Sequence, residues 1–106
     1  MAGAKIVVIY PRPTDTEVFE KVYVDEHLPL ATKKISGMTK AVLTTVVGPE
    51  GNPPFHRITE IHFPSMEALQ ASLASEGTRE AAAHAQSIST GGPIVMLVCE
   101  EQTVTF

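Results

Sequence analysis

Two β-branched runs most constrain what this chain can become: Lys5 to Tyr10, KIVVIY, and Ile94 to Cys99, IVMLVC. Neither alternates polar with apolar residues. Successive side chains of a strand point to opposite faces, so strands of this kind need cover on both sides. Pro11 and Pro13 close the first run, and the second follows a turn at Thr90, Gly91, Gly92 and Pro93. The two runs lie near opposite ends of 106 residues, and the chain between them must supply the cover.

Between them the period changes. Thr14 or Asp15 can cap a helix, with Glu17 three residues after Thr14 as in a capping box. Phe19, Tyr23 and His27 recur every four residues, which a helix stacks as one stripe on one face. Pro29 cannot donate the hydrogen bond that continuation requires, so the helix is expected to end at about His27. That places the imidazole in the last turn, half-buried, where the helix C-terminus favours its charged form.

Residues 39 to 47, TKAVLTTVV, predict a second strand, and the Gly- and Pro-dense GPEGNPP at 48 to 54 an exposed hairpin loop. The third strand, His56 to Phe63, alternates. Thr59, Ile61 and Phe63 face one way while His56, Ile58, Glu60 and His62 face the other. Ser65 can cap a second helix carrying Met66, Leu69 and Leu73, which Gly77 is expected to break before Thr78 restarts a turn through Ala81, Ala82 and Ala85. The tail from Glu100 to Phe106 extends the last strand or crosses to a partner.

The order strand, helix, strand, strand, helix, strand matches the ferredoxin-like split βαββαβ motif, an α+β fold with both helices on one face of a four-stranded antiparallel sheet. Two helices cover only one face. Strands apolar on both faces therefore imply that a second copy packs sheet against sheet, giving a homodimer that closes an α+β barrel. The competing expectation is a monomer whose loops cover the sheet. Residues 1–106 are expected to form one domain, long enough to bury roughly 65% of the unfolded surface.

A net charge of −4, with eight Lys and Arg scattered along the chain, supplies no basic stripe, so nucleic acid and anionic membranes are not expected partners. Apolar runs of roughly six residues fall far short of the ~20 of a spanning helix, and the N-terminus lacks a signal-peptide pattern. A lone cysteine, Cys99, forms no internal disulfide and, like the rest of the pattern, fits a cytoplasmic protein.

Taken in order, five segments resemble the EthD (ethyl tert-butyl ether degradation) family of dimeric α+β barrels: KIVVIYPRP, F-x-x-x-Y-x-x-x-H-L-P-L, PFHRI, FPSMEAL and STGG. The resemblance implies a ferredoxin-like subunit that pairs through its sheet and holds a small-molecule pocket between helices and sheet. Relatives of this barrel class include cofactor-free monooxygenases, polyketide cyclases and decarboxylases, and haem-degrading enzymes. The family therefore fixes the fold better than the chemistry. One segment departs from the pattern. EAAAHAQSIS carries His84 and Ile88 where an Asp and an aromatic residue are expected.

His27 is the first candidate for chemistry, as a general acid or base, against the reading that it only caps the last carbonyls of its helix. Tyr23, one turn earlier, is a candidate to steady charge on a substrate oxygen or else an aromatic core residue with its hydroxyl at the surface. Phe19 is expected to pack in the core rather than touch a substrate, and Tyr10, at the end of the first strand, to line the pocket mouth or simply shield it. Glu60 and His62 share a face of the third strand and suggest an acid/base pair, although on the partner-facing side an interfacial network is the alternative. His56 and His84 are expected to be solvated. The four histidines include no HExxH and no cysteine pair, so no metal is indicated, and no Gly-rich phosphate loop points to a nucleotide cofactor. The expectation is a cofactor-free oxygenase, decarboxylase or cyclase acting on a small apolar or aromatic carbonyl compound. The alternative is a binding or accessory protein for a hydrophobic compound.

Overall fold

The computed structural model describes residues 3–106. Its elements are β1 (Gly3–Pro11), α1 (Thr16–Val22), a π-helical turn (Tyr23–His27), α2 (Leu28–Lys34), β2 (Lys40–Thr45), β3 (Phe55–Phe63), α3 (Met66–Leu73), α4 (Glu76–Ile88) and β4 (Val95–Glu101). The strands form one antiparallel sheet in the order β2-β3-β1-β4. This is the ferredoxin-like α+β fold, and the helices occupy one face.

The sheet is built in register from the two central strands. Ala4, Ile6, Val8 and Tyr10 of β1 are buried, and opposite them on β3 stand Phe63, Ile61, Thr59 and Arg57. These side chains carry the helices, with Phe19, Tyr23, Leu69, Ala81 and Ala85 packed above them. The other apolar run is an edge strand. Val95, Met96, Leu97 and Val98 of β4 are all exposed, since among the described residues no element covers β4 on either face.

Two expected boundaries move. The first helix does not stop at His27, because the Leu28 N–H bonds back to the Tyr23 carbonyl across a π-helical turn. Pro29 then falls in the first turn of α2, where a missing N–H costs nothing. The second break moves as well. The helix is interrupted at Ala74 and Ser75, not at Gly77, and Ser75 caps α4 by accepting from the Thr78 N–H at 3.2 Å. Gly77 matters for packing instead. A Cβ there would overlap the Lys34 carbonyl, so the glycine lets α4 meet the end of α2. Asp15 and Ser65 cap α1 and α3 as expected.

Candidate functional site

A cavity of about 170 Å³ lies between the helices and the sheet. It exists because α4 presents Ala81, Ala82 and Ala85 toward Ile6, Val8 and Ile61, leaving room that larger side chains would fill. The walls are mostly apolar. Polar groups reach it at few places: His27, Tyr10, Thr59 and Thr78 in the walls, and the exposed Thr32 and Arg79.

The stripe expected from the sequence is present. Phe19 and Tyr23 lie near-parallel with centroids 5.6 Å apart, and Tyr23 and His27 likewise at 5.7 Å. Tyr10 meets both Phe19 and Tyr23 edge-on, at 5.2 and 5.7 Å, the favourable geometry for ring quadrupoles. The Arg57 guanidinium sits 4.5 Å from the Tyr23 centroid on the ring's negative face. Glu20 holds Arg57 there by a bidentate pair and also bonds His56 at 3.1 Å. Burial alone would raise the Glu20 carboxyl, but Arg57 and His56 outweigh it and the net shift is downward. His56 is thus buried and bonded, not solvated, because the register slips between Tyr10 and Pro11.

His27 lines the cavity and is 7% exposed. Burial, and then repulsion from His84, lower its pKa to about 4, so the imidazole is neutral at physiological pH. The charged form expected at a helix C-terminus is lost to that burial, and the helix itself runs on past His27 into α2. Its Nδ1 lies 2.9 Å from the Nδ1 of His84, a half-buried residue of α4 that the sequence suggested was solvated. Nothing local in the sequence signals this pairing, since the two residues meet only when α4 crosses the π-helical turn.

Tyr23 is fully buried and does not line the cavity. Its hydroxyl bonds Thr59 at 2.6 Å, and Thr59 stands in the wall. Thr59 is the functional group that sequence reading missed, although a hydroxyl on the apolar face of β3 was its signal. Burial raises the Tyr23 phenol and likewise that of Tyr10. Phe19 packs in the core away from the cavity, whereas Tyr10 lines it.

Glu60 and His62 lie on the opposite face of the sheet, apart from the cavity. Their closest approach, 3.6 Å, exceeds a hydrogen bond, because Glu60 turns to Lys5 at 2.6 Å. Lys5 also bonds Glu101 at 2.9 Å, leaving the buried His62 Nε2 without a partner among the described residues. Donor atoms of Glu60, His62 and Glu101 lie within 4.8 Å of one another, as metal ligands do. The Lys5 ammonium already stands between the two carboxylates, which raise its pKa, so a cation is built into this cluster.

A model of the EthD domain matches residues 11–87. The chain belongs to the EthD family. It is 30% identical over 102 residues to an uncharacterised 11.0 kDa protein of the thcB-thcC intergenic region of Rhodococcus erythropolis, covering 94% of this chain and 96% of that one. An EthD family protein from Bacillus halodurans C-125 superposes with a TM-score of 0.84 at 27% identity, over 94% of this chain and 99% of that one. Two more distant structures share the fold. A dimeric ferredoxin-like protein from Jannaschia sp. CCS1 has a TM-score of 0.63 at 13% identity, covering 93% and 100% of the two chains. The hydroxynitrile lyase of Passiflora edulis has a TM-score of 0.72 at 14% identity, covering 97% and 96%. In this EthD protein no helix among the described residues is long and apolar enough to cross a membrane.

Proposed function

We propose that this EthD protein is a cofactor-free enzyme that moves a proton on a small, largely apolar or aromatic carbonyl compound held between helices and sheet. The observation that carries the reading is a neutral imidazole, His27, in the wall of an apolar cavity, with its second ring nitrogen tied to another residue. An apolar chamber with a few polar groups suits such a guest. Nδ1 is engaged by His84, so Nε2 is the ring nitrogen left to exchange a proton with it.

Charge that develops on the substrate oxygen needs donors. When Tyr23 donates to Thr59, the Thr59 hydroxyl is free to donate into the cavity that this residue lines, and Tyr10 lines the same cavity. Tyr23 acts through Thr59 and is a positioning residue. Removing a proton beside a carbonyl opens the way to cyclisation or to oxygenation of the enolate, and delivering one completes a decarboxylation. The lyase among the proteins of this fold is a precedent for lyase chemistry on the scaffold.

The active unit is a homodimer formed through the outer sheet face. Apolar Val95, Leu97 and Val42 are exposed there, and several proteins of this fold are described as dimeric. A panel of cyclic and aromatic ketones in heavy water tests the chemistry by proton-to-deuterium exchange beside the carbonyl. Exchange that vanishes in His27→Ala while binding persists supports the enzyme. The mostly apolar lining also suits a binding or accessory protein for a hydrophobic compound, and weakened binding in His27→Ala without exchange in either protein supports that instead.

A further inference from the structure

The geometry points to His84 as the proton outlet of the cavity: a proton taken up by His27 leaves through the Nδ1–Nδ1 contact to the ring of His84. This rests on the reading that His27 exchanges a proton with a guest.

The two rings are parallel within 4°, with centroids 5.1 Å apart and Nδ1 atoms 2.9 Å apart. A ring nitrogen lies about 1.1 Å from its centroid, so the nitrogen contact plus one such radius at each end accounts for the whole centroid spacing. The rings are therefore nearly coplanar and meet end to end, rather than face to face. A contact of that length holds one hydrogen, so the two rings must be complementary tautomers. When His27 keeps the shared proton, its Nε2 is a bare lone pair and a base. When His84 keeps it, the His27 Nε2 carries the hydrogen and is a donor.

The transfer balances. A C–H or O–H bond of the guest breaks, its electron pair stays on the guest, and the proton bonds to His27 Nε2. The His27 Nδ1–H bond then breaks toward His84 Nδ1, so His27 is again neutral and His84 carries the positive charge. His84 loses its Nε2 proton to water. Protonation of the product by His27 Nε2 runs the sequence backward and resets the pair.

The arrangement answers a physical difficulty. A ring held neutral by burial is a weak base if it must keep the charge it gains. Handing the charge to the half-buried His84 removes that requirement. The surroundings do not supply a competing carrier. Asp25 and Glu26 are exposed on the π-helical turn, Arg57 of β3 is held by Glu20 of α1, and Lys34 of α2 pairs with Glu80 of α4. Arg79 of α4 stands in the cavity wall, where it cannot accept a proton. His84 is the charge that bears on His27.

Imidazole nitrogen spectra of 15N-labelled protein followed against pH test this without any substrate. On acidification His27 should stay neutral while its hydrogen moves from Nδ1 to Nε2, the tautomer that a proton shared through the Nδ1–Nδ1 contact requires. In His84→Ala, and in His84→Gln should the first variant fail to fold, His27 should lose that tautomer switch and titrate alone. His27 spectra unchanged by either substitution, or His27 gaining a second proton with no prior tautomer switch, would overturn the relay even in an active enzyme. With any ketone that the protein exchanges, His84→Ala should slow the exchange on the order of 100-fold with KM unchanged. An undiminished rate would equally overturn the outlet, whereas a panel with no exchange speaks against the proposed reaction and leaves the spectra decisive.

Discussion

Turning β1 over changes its chemistry. Ile6, Val8 and Tyr10 lie buried beneath helices, while Lys5, Val7 and Ile9 between them stay half-exposed. On the helix side the chain supplies its own cover, and the small side chains of α4 leave a chamber whose buried polar groups are neutral or paired. On the outer side nothing among the described residues provides cover. That face is graded: Lys5, Glu60, His62 and Glu101 cluster at one end, and Ile9, Ile58 and Val95 line up across the other. One sheet thus separates an enclosed apolar chamber from an uncovered outer surface, and the period of two in each strand lets alternate residues of one strand serve the two sides.

The strongest way to break this division is to charge the outer face. Val7→Glu places an unpaired carboxylate at its centre and should raise the dimer dissociation constant at least 100-fold, or about 3 kcal/mol. Sedimentation velocity over the micromolar range would read it, and a variant that stays dimeric would remove the outer face as the interface. The matching change on the inner side is Gly77→Ala. Its methyl group meets the Lys34 carbonyl and should cost about 3 kcal/mol by denaturant titration, because backbone must move.

A smaller effect isolates the chamber's electrostatics. His27 stays neutral in the folded chain down to about pH 4, whereas the unfolded chain protonates it near the ordinary value of 6.5. Between those values the unfolded state binds more protons, so stability falls as pH falls through that window, by roughly 2 kcal/mol after discounting partial solvent access. His27→Gln should flatten this acid-side slope, and an unchanged slope would mean that another group produces it. The mildest test is Tyr23→Phe. Loss of one buried hydrogen bond to Thr59 should cost about 1 kcal/mol, seen as a small drop in Tm, with a larger proportional loss of deuterium exchange. A drop of several kcal/mol would return Tyr23 to a purely structural role.

The fold was legible because its signals are local: caps at Asp15 and Ser65, turn residues at 48 to 54, and alternation along β3. The ring stripe was legible for the same reason, since four-residue spacing fixes its neighbours. What escaped depends on elements meeting. Pro29 reads as a stop until the π-helical turn puts it in a first turn, and His84 reads as solvated until α4 lies beside that turn. Glu60 and His62 share a face as the alternation requires, yet only the structure shows that Lys5 claims the carboxylate. The residue in the wall is Thr59, with Tyr23 bonded behind it.

The widened winding at Tyr23–His27 has a mechanical consequence. Upstream, Glu20 anchors the rod to Arg57 and His56 on the sheet, and downstream Lys34 is pressed against α4 at Gly77. With both abutments fixed, the span between them is where the rod changes winding, its backbone bonds reaching five residues back. That change of pitch sits at the residue whose imidazole lines the cavity, so the winding of the backbone sets where the ring is presented.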